Sequence, residues 1–546
     1  MSLSRGESAT PSAGLSSVDS TVSPPRLSFP RPYNAAVDLI EPNLAAGRGK
    51  KTAVIDEQGT YSFAELAERV NRCGQALRGI GLAPEQRVML LLLDTIDFPA
   101  AFLGAMKIGA VPVPVNTLLT ADDYAYMLRD SRARAVIVSA PLYEKLKPAL
   151  AGQPWLETVI ISGSATDGHL SLGTLTAKAP ATLDAAPTTA DDAAFWLYSS
   201  GSTGMPKGTV HVHSSLVTTA ELYARPILGL NETDIVFSAA KLFFAYGLGN
   251  ALTFPLRVGA TAVLMAERPT PASVCRILRQ HRPTIFYGVP TLYAALLASG
   301  ELPAKGEHRL RACVSAGEAL PEDLGTRWSR SMGVDIYDGI GSTEMLHIFL
   351  SNAPGTLRYG TTGKNVPGYA LKLVDDEGRP VKPGEVGELL VSGPSSAAFY
   401  WNNRGRSRHT FQGEWTRTGD KYVESGDGFF TYCGRTDDML KVGGIYVSPF
   451  EVEAALVTHA AVLEAAVIGI HDENKLIKPK AFVVLKPGQS PDAGLDEALK
   501  AHVKDRLAPY KYPRWIEFVH ELPKTATGKI QRFKLRQRET QRAAAE

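Results

Sequence analysis

The stretch from Tyr198 to Gly208 concentrates three glycines (Gly201, Gly204, Gly208), four small hydroxyl residues (Ser199, Ser200, Ser202, Thr203) and Lys207 in eleven positions, directly after an apolar strand. Glycine lets the backbone approach a polyanion and offer its N–H groups, hydroxyls add donors, and the lysine supplies a point charge. The chemistry is that of a polyphosphate cradle. It is not a Walker A loop, because Lys207 stands between Pro206 and Gly208, where that motif needs glycine before and serine or threonine after. A simple kinase or GTPase is therefore disfavoured, and Pro206-Lys207 argues against a mere glycine-serine linker.

The elements that must hold this loop alternate between strand and helix. Tyr61-Ser62-Phe63-Ala64-Glu65 predicts a strand end and a Ser62-capped helix over 62–80. The apolar run 88–93 is followed by a helix near 97–108 and a second run at 110–115. Short β-branched runs recur at 135–138, 158–161, 261–264 and 284–287, as in buried parallel strands. From about 369 the texture changes to glycine-punctuated hairpins, and from about 438 strands mix with helices at 448–457 and 492–507. The fold class expected is α/β: a large N-terminal domain over 33–436 with parallel sheets and a small β subdomain over about 369–436, then a small mobile α+β C-terminal domain over 437–546. Residues 1–32, rich in Ser, Pro, Thr and Gly, read as a disordered leader.

Composition narrows the function classes. A chain of 546 residues exceeds what one core sustains. Its 58 basic and 56 acidic residues leave a formal charge of +2, too even for a nucleic-acid binder by charge alone. The basic residues Arg532, Lys534, Arg536, Arg538 and Arg542 read as a solvated helix face. Cys73, Cys275, Cys313 and Cys433 show no C-x-x-C spacing, so neither zinc nor a disulfide framework is indicated, and a cytoplasmic location fits. No apolar run is long enough to span a bilayer.

Five blocks in order then tie the chain to a family. These are the loop at 198–208, the stretch 337–344 (Tyr337-Asp338-Gly339-Ile340-Gly341-Ser342-Thr343-Glu344), Thr418-Gly419-Asp420, the stretch 434–441, and Pro523-Lys524-Thr525-Ala526-Thr527-Gly528-Lys529. With them the chain resembles the acyl-adenylate-forming superfamily of acyl-CoA synthetases, luciferases and peptide-synthesis adenylation domains. The resemblance implies ATP, Mg2+ and coenzyme A as reactants and cofactor. It implies nucleotide contacts from Ser199, Ser200, Gly201, Ser202, Thr203, Gly204 and Lys207, from Ala316, Gly317 and Glu318, from Asp338, Gly339 and Ile340, and from Asp420, Tyr432 and Arg435. Lys529, Thr343, Glu344 and Arg435 take the catalytic roles, Glu344 being the magnesium carboxylate. Asp437 matches the hinge, and Gly443 and Gly444 border the path of coenzyme A.

The acid substrate is read from Phe244, Ala245, Tyr246, Gly247, Gly339, Gly341, His347 and Ile348, which resemble the benzoate-CoA ligase group. Aromatic walls suit a flat ring, and the glycines are expected to leave room for its plane. Benzoate is the first expectation, and hydroxy-, amino- or fluoro-benzoates stay close because one substituent changes discrimination by only about 1–3 kcal/mol in an apolar pocket. Two rivals remain open here: an adenylation enzyme that loads a substituted benzoate onto coenzyme A or onto a carrier protein in trans, and a non-catalytic nucleotide or acid sensor. The expected partners are small molecules, without nucleic acid or membrane, and the reading leaves room for a homodimer.

Overall fold

The computed structural model describes residues 14–201, 204–436, 438–442, 445–473, 476–524 and 530–545. Ser202, Thr203, Asp437, Gly443, Gly444 and Lys529 lie outside the described residues. The fold is mixed α/β and rests on two parallel sheets. The larger has nine strands in the order Lys364–Asn365, Ile348–Ser351, Ile336–Gly341, Ala312–Ser315, Ile285–Gly288, Ile235–Ser238, Thr261–Val263, Thr52–Ile55 and Thr60–Ser62. Its inner strands, from Ile336–Gly341 to Thr52–Ile55, run parallel, and antiparallel strands finish both edges. The second sheet is parallel throughout, in the order Val111–Pro114, Arg87–Leu91, Ala135–Ser139, Thr158–Ser162 and Leu170–Ser171. Its central strands are buried along nearly their whole length, which is why they read as continuous apolar runs rather than as alternation.

Local signals set the helix starts. The Ser62 hydroxyl accepts the Glu65 N–H at 3.3 Å while the Glu65 carboxylate accepts the Ser62 N–H at 2.7 Å, a complete capping box that opens helix Phe63–Gly79. The helix expected near 97–108 is Asp97–Lys107.

An antiparallel sheet follows, made of Ala370–Val374, Val386–Ser392, Trp415–Glu424, Phe411–Gln412 and Phe430–Arg435. Beyond it, strands Val462–His471, Ile477–Leu485 and Trp515–Phe518 pack with helices Pro449–Val457 and Ala493–Lys504 around an apolar cluster drawn from residues 440–518 alone.

Part of the leader differs from expectation. Residues 14–32 are built onto the fold: Ser17–Asp19 pairs antiparallel with Arg26–Ser28, and Gly14 N–H donates to the Pro32 carbonyl at 2.9 Å. Ser16 Oγ donates to Asp38 Oδ2 at 2.5 Å, and Leu27 packs against two of the main cores. Composition averaged over the segment conceals the Asp38 contact and the apolar contacts of Leu27 and Phe29.

Candidate active site

The cradle is a β-hairpin. Strands Ala193–Gly201 and Gly204–Val212 pair antiparallel, with Ser199 opposite Lys207 and Gly201 opposite Gly204. Helix Ala121–Ser131 grips both of its strands: Tyr126 donates to the Pro206 carbonyl at 3.0 Å, and Tyr198 donates to Asp130 Oδ2 at 2.7 Å. Lys207 faces Glu344, its Nζ 3.9 Å from Oε1, and both side chains are largely covered. The same Oε1 accepts the Tyr400 hydroxyl at 2.7 Å and lies 3.4 Å from Ser199 Oγ. Lys207 Nζ also sits over the Tyr400 ring, 4.5 Å from its centroid. Burial lowers the Lys207 pKa below the usual lysine value and Glu344 opposes that shift, while Arg406 and Arg435 add to it. Thr343, beside Glu344, is held through its carbonyl by Nε2–H of the buried His211 at 2.7 Å. Burial holds His211 near pKa 4, so it is a neutral imidazole.

A carboxylate beside a serine hydroxyl and a lysine fits magnesium, which keeps several waters and takes one or two carboxylates plus phosphate oxygens. Among the described residues there is no cluster of three or more His, Cys, Asp or Glu side chains of the kind a dedicated protein cage would need.

The Asp420–Arg435 pair lies within electrostatic reach of this cluster. The two residues stand opposite each other across strands Trp415–Glu424 and Phe430–Arg435, and Arg435 NH1 donates to Asp420 Oδ1 and to the Thr418 carbonyl, each at 2.9 Å. Asp420 and Glu344 both raise the Arg435 pKa, Asp420 the more strongly. Gly419, at φ 72°, lies so close to Arg435 that a Cβ would stand 2.7 Å from its NH2. Tyr432 stands edge-on to Tyr422 and Phe450. On the neighbouring sheet Asp338 is buried with Oδ1 unpartnered, and burial pushes its pKa well above the carboxylate range. Ala316 is buried beyond the end of strand Ala312–Ser315, and Gly317 adopts φ 97° next to Glu318. Gly339 and Ile340 pair with Ser351 and Leu350.

The segment 244–247 straddles two cores: Phe244 and Ala245 pack against the core beneath the second sheet, Tyr246 against that of the nine-stranded sheet. The Tyr246 hydroxyl donates to the Val314 carbonyl at 3.1 Å, and its ring centroid lies 5.7 Å from that of His347. His347 is buried, its Nε2 3.1 Å from Asn250 Oδ1, with Phe254 edge-on at 4.4 Å and Tyr223 at 5.4 Å. The glycines serve a purpose other than the one expected. A Cβ on Gly341 would meet the His347 backbone at 2.6 Å, one on Gly339 would meet Ile348 Cγ2 at 2.9 Å, and one on Gly247 would meet the Lys241 carbonyl at 2.1 Å. At these three positions a Cβ would collide with backbone or with the Ile348 side chain, so glycine permits the close packing there.

Comparison with known proteins bears directly on this arrangement. Residues 43–401 match the model of the AMP-binding enzyme family and residues 451–529 that of the AMP-binding enzyme C-terminal domain. The chain belongs to the AMP-binding enzyme family. This AMP-binding enzyme is 63% identical over 524 residues to a benzoate–CoA ligase of Thauera aromatica, covering 96% of this chain and 99% of that one. The crystal structure of a benzoate CoA ligase from Burkholderia xenovorans LB400 superposes with a TM-score of 0.87 at 56% identity, over 92% of this chain and all of the other. That of an anthranilate CoA ligase in complex with anthranoyl-AMP gives 0.89 at 47% identity, over 94% and 99%.

The structure of this family member thus brings Ser199, Lys207, Glu344, Asp420 and Arg435 to one region. It places Tyr246 against strand Ala312–Ser315, the neighbour of the strand that carries Asp338, and beside His347, which follows the turn that carries Glu344; Phe244 packs on the other core. Sequence reasoning missed Tyr400, His211, Asn250 and Tyr223. A tyrosine after Phe399 or a histidine within an alternating strand carries no signal of its own, because each matters only through the partner that the fold brings to it.

Proposed function

We propose that the protein is an ATP-dependent acid-thiol ligase that converts benzoate through benzoyl-adenylate into benzoyl-CoA, releasing AMP and pyrophosphate. The observation that carries this reading is the near-complete likeness to the Thauera aromatica benzoate–CoA ligase, which extends over both family segments. A carboxylate repels nucleophiles, so it must first be converted into a mixed anhydride with AMP. Its oxygen attacks the α-phosphorus of ATP, the bond to the β-phosphate bridging oxygen breaks, and pyrophosphate leaves. The thiol sulfur of coenzyme A then attacks the acyl carbon, and the bond to AMP breaks.

In this reading the hairpin at 199–207 offers backbone N–H groups and hydroxyls to the β- and γ-phosphates, and Lys207 adds charge where it develops. Glu344, held by Tyr400, would take the magnesium ion, which neutralises phosphate charge when bound. Asp420, oriented by Arg435, accepts from the ribose hydroxyls, and the unpartnered Oδ1 of Asp338 faces the adenine end together with 316–318. Thr343 and Lys529 act at the α-phosphate and the acid. Phe244 to Gly247, Gly339, Gly341, His347 and Ile348 form the ring pocket. The two working units are 33–436 and a mobile 437–546, with Asp437 as pivot and Gly443 and Gly444 along the coenzyme A path. Small molecules in the cytoplasm are the partners; neither nucleic acid nor membrane enters the scheme.

The test supplies ATP, magnesium and a panel of acids with either coenzyme A or a carrier protein, and follows pyrophosphate release and the acylated thiol. Benzoate-dependent pyrophosphate release with benzoyl-CoA as product is expected. Acylation of the carrier alone, or no pyrophosphate with any acid, overturns the reading.

A further inference from the structure

Asp94 lies outside every motif described above. It follows strand Arg87–Leu91 at the carboxyl end of the second parallel sheet, where open α/β sheets place their ligand sites. Its side chain is buried, with 4% of the residue exposed, and both carboxylate oxygens lie 3.3 Å from the Leu242 backbone nitrogen. Three other buried aspartates have an arginine in contact: Asp38 pairs with Arg257, Asp234 with Arg311 and Asp420 with Arg435. Asp94 has no ion pair of that kind among the described residues. The nearby cation is Lys241, whose ammonium is occupied by the carbonyls of Met265 and Glu267. Burial pushes Asp94 up to about 6, with Lys241 and the Leu242 N–H opposing the shift. A carboxylate kept inside at such cost requires a task that an apolar residue of similar size would not perform.

What Asp94 holds is the start of the aromatic segment. Leu242 N–H points to Asp94, the Phe244 N–H donates to the Lys241 carbonyl at 3.0 Å, and the Leu248 N–H donates to the Phe244 carbonyl at 2.8 Å. Gly247 closes the turn against the Lys241 and Ala240 carbonyls, at 2.1 and 2.4 Å from where its Cβ would be. Of these ties, only Asp94 comes from the second sheet; it anchors the start of the Phe244–Tyr246 wall, which follows strand Ile235–Ser238 of the nine-stranded sheet, to the second sheet, while the Tyr246 hydroxyl holds the wall's other end to Val314 of the nine-stranded one.

We infer that Asp94 is a positioning residue that sets the width of the acid pocket, and through it the discrimination among ring-substituted benzoates. The inference rests on the reading of 244–247 as the acid wall. It is tested with Asp94→Ala and Asp94→Asn in the full-length enzyme, measuring KM for acid and for ATP separately, kcat, and relative kcat/KM for benzoate, 4-hydroxybenzoate and 2-aminobenzoate. Asp94→Ala, which leaves a buried N–H without an acceptor, should raise KM for benzoate roughly tenfold. KM for ATP should stay at the wild-type value, and the spread among the three acids should narrow. Asp94→Asn retains a carbonyl acceptor for Leu242 and should restore most of the benzoate KM and the wild-type spread among the three acids; if the alanine variant fails to fold, Asp94→Leu, of similar size and without an acceptor, is read on acid selectivity in its place. Equal rises in the KM of acid and ATP, or unchanged selectivity in a folded variant that lacks the acceptor, would overturn the inference. Wild-type enzyme that ignores benzoate sinks the functional reading instead, and Asp94 is then tested against whichever aromatic acid the panel shows to be turned over.

Discussion

Tyr400→Phe separates the two things Tyr400 does for the phosphate site. Its hydroxyl donates to Glu344 Oε1 at 2.7 Å, and its ring lies beneath Lys207 Nζ at 4.5 Å. Phenylalanine removes the first and keeps the second. A hydrogen bond to a charged acceptor is worth about 1.5–3 kcal/mol, and this one sits where the Glu344 side chain is only 16% exposed, so water replaces it poorly. If Glu344 acts in nucleotide and magnesium binding, that loss appears as roughly a ten- to hundredfold fall in kcat/KM for ATP in benzoate-dependent pyrophosphate release. Tyr400→Leu also removes the ring, and should cost about 0.5–2 kcal/mol more. The thioester half-reaction, started from supplied benzoyl-adenylate and coenzyme A, needs no triphosphate and should proceed near the wild-type rate in both variants. Equal loss in the two half-reactions, or a Tyr400→Phe enzyme with unchanged ATP kinetics, refutes the assignment of Glu344 and Tyr400 to the triphosphate.

Further outcomes follow from the same geometry. Tyr126→Phe frees the Pro206 carbonyl, and a neutral hydrogen bond of about 0.5–1.5 kcal/mol predicts a two- to tenfold rise in KM for ATP with the KM for benzoate unchanged; a shift in the benzoate value alone counts against it. Lys529→Ala should cripple adenylation and spare thioester formation from benzoyl-adenylate, whereas parallel loss of both steps contradicts its role. Buried His211, His213 and His347 are held near pKa 4, 4 and 3 by desolvation, against about 6.5 in the unfolded chain. Below that value the unfolded chain binds protons that the folded one does not, so stability is lost as pH falls from about 6.5 toward 4, by up to about 1.4 kcal/mol per unit for each histidine. Urea unfolding at several pH values should show this slope, and His213→Asn should reduce it; a flat profile between pH 7 and 5 disproves it.

What the sequence disclosed was local. A loop dense in glycine and hydroxyls declares its chemistry without help from the fold, and Ser62 with Glu65 declares a helix start because the partners are three residues apart. Tyr400 stayed hidden because its partner Glu344 is 56 residues away and only the pairing of strands Gly204–Val212 and Phe399–Tyr400 brings it to the site. The order of residues 14–32 was concealed likewise, since Asp38, which receives Ser16, lies 22 positions on. The glycines at 247, 339 and 341 show the limit of residue type, which reports the absence of a side chain, while only the structure reports that neighbouring atoms stand where a Cβ would be.

In the proposed assignment one hairpin carries groups for both reactants. Strand Ile336–Gly341 holds Asp338, assigned to the nucleotide, the turn after it holds Thr343 and Glu344, and the return through His347 into Ile348–Ser351 holds residues assigned to the acid. Buried pairing and the close approaches at Gly339 and Gly341 leave this hairpin little freedom, so the distance from phosphate groups to acid groups is set at folding rather than on binding. Orientation fixed in advance can supply several kcal/mol of the barrier to a reaction between two bound molecules, roughly 7–11 at most. A substitution that spreads the hairpin, such as Gly341→Ala, should therefore lower kcat for adenylation more than it weakens the binding of either substrate alone.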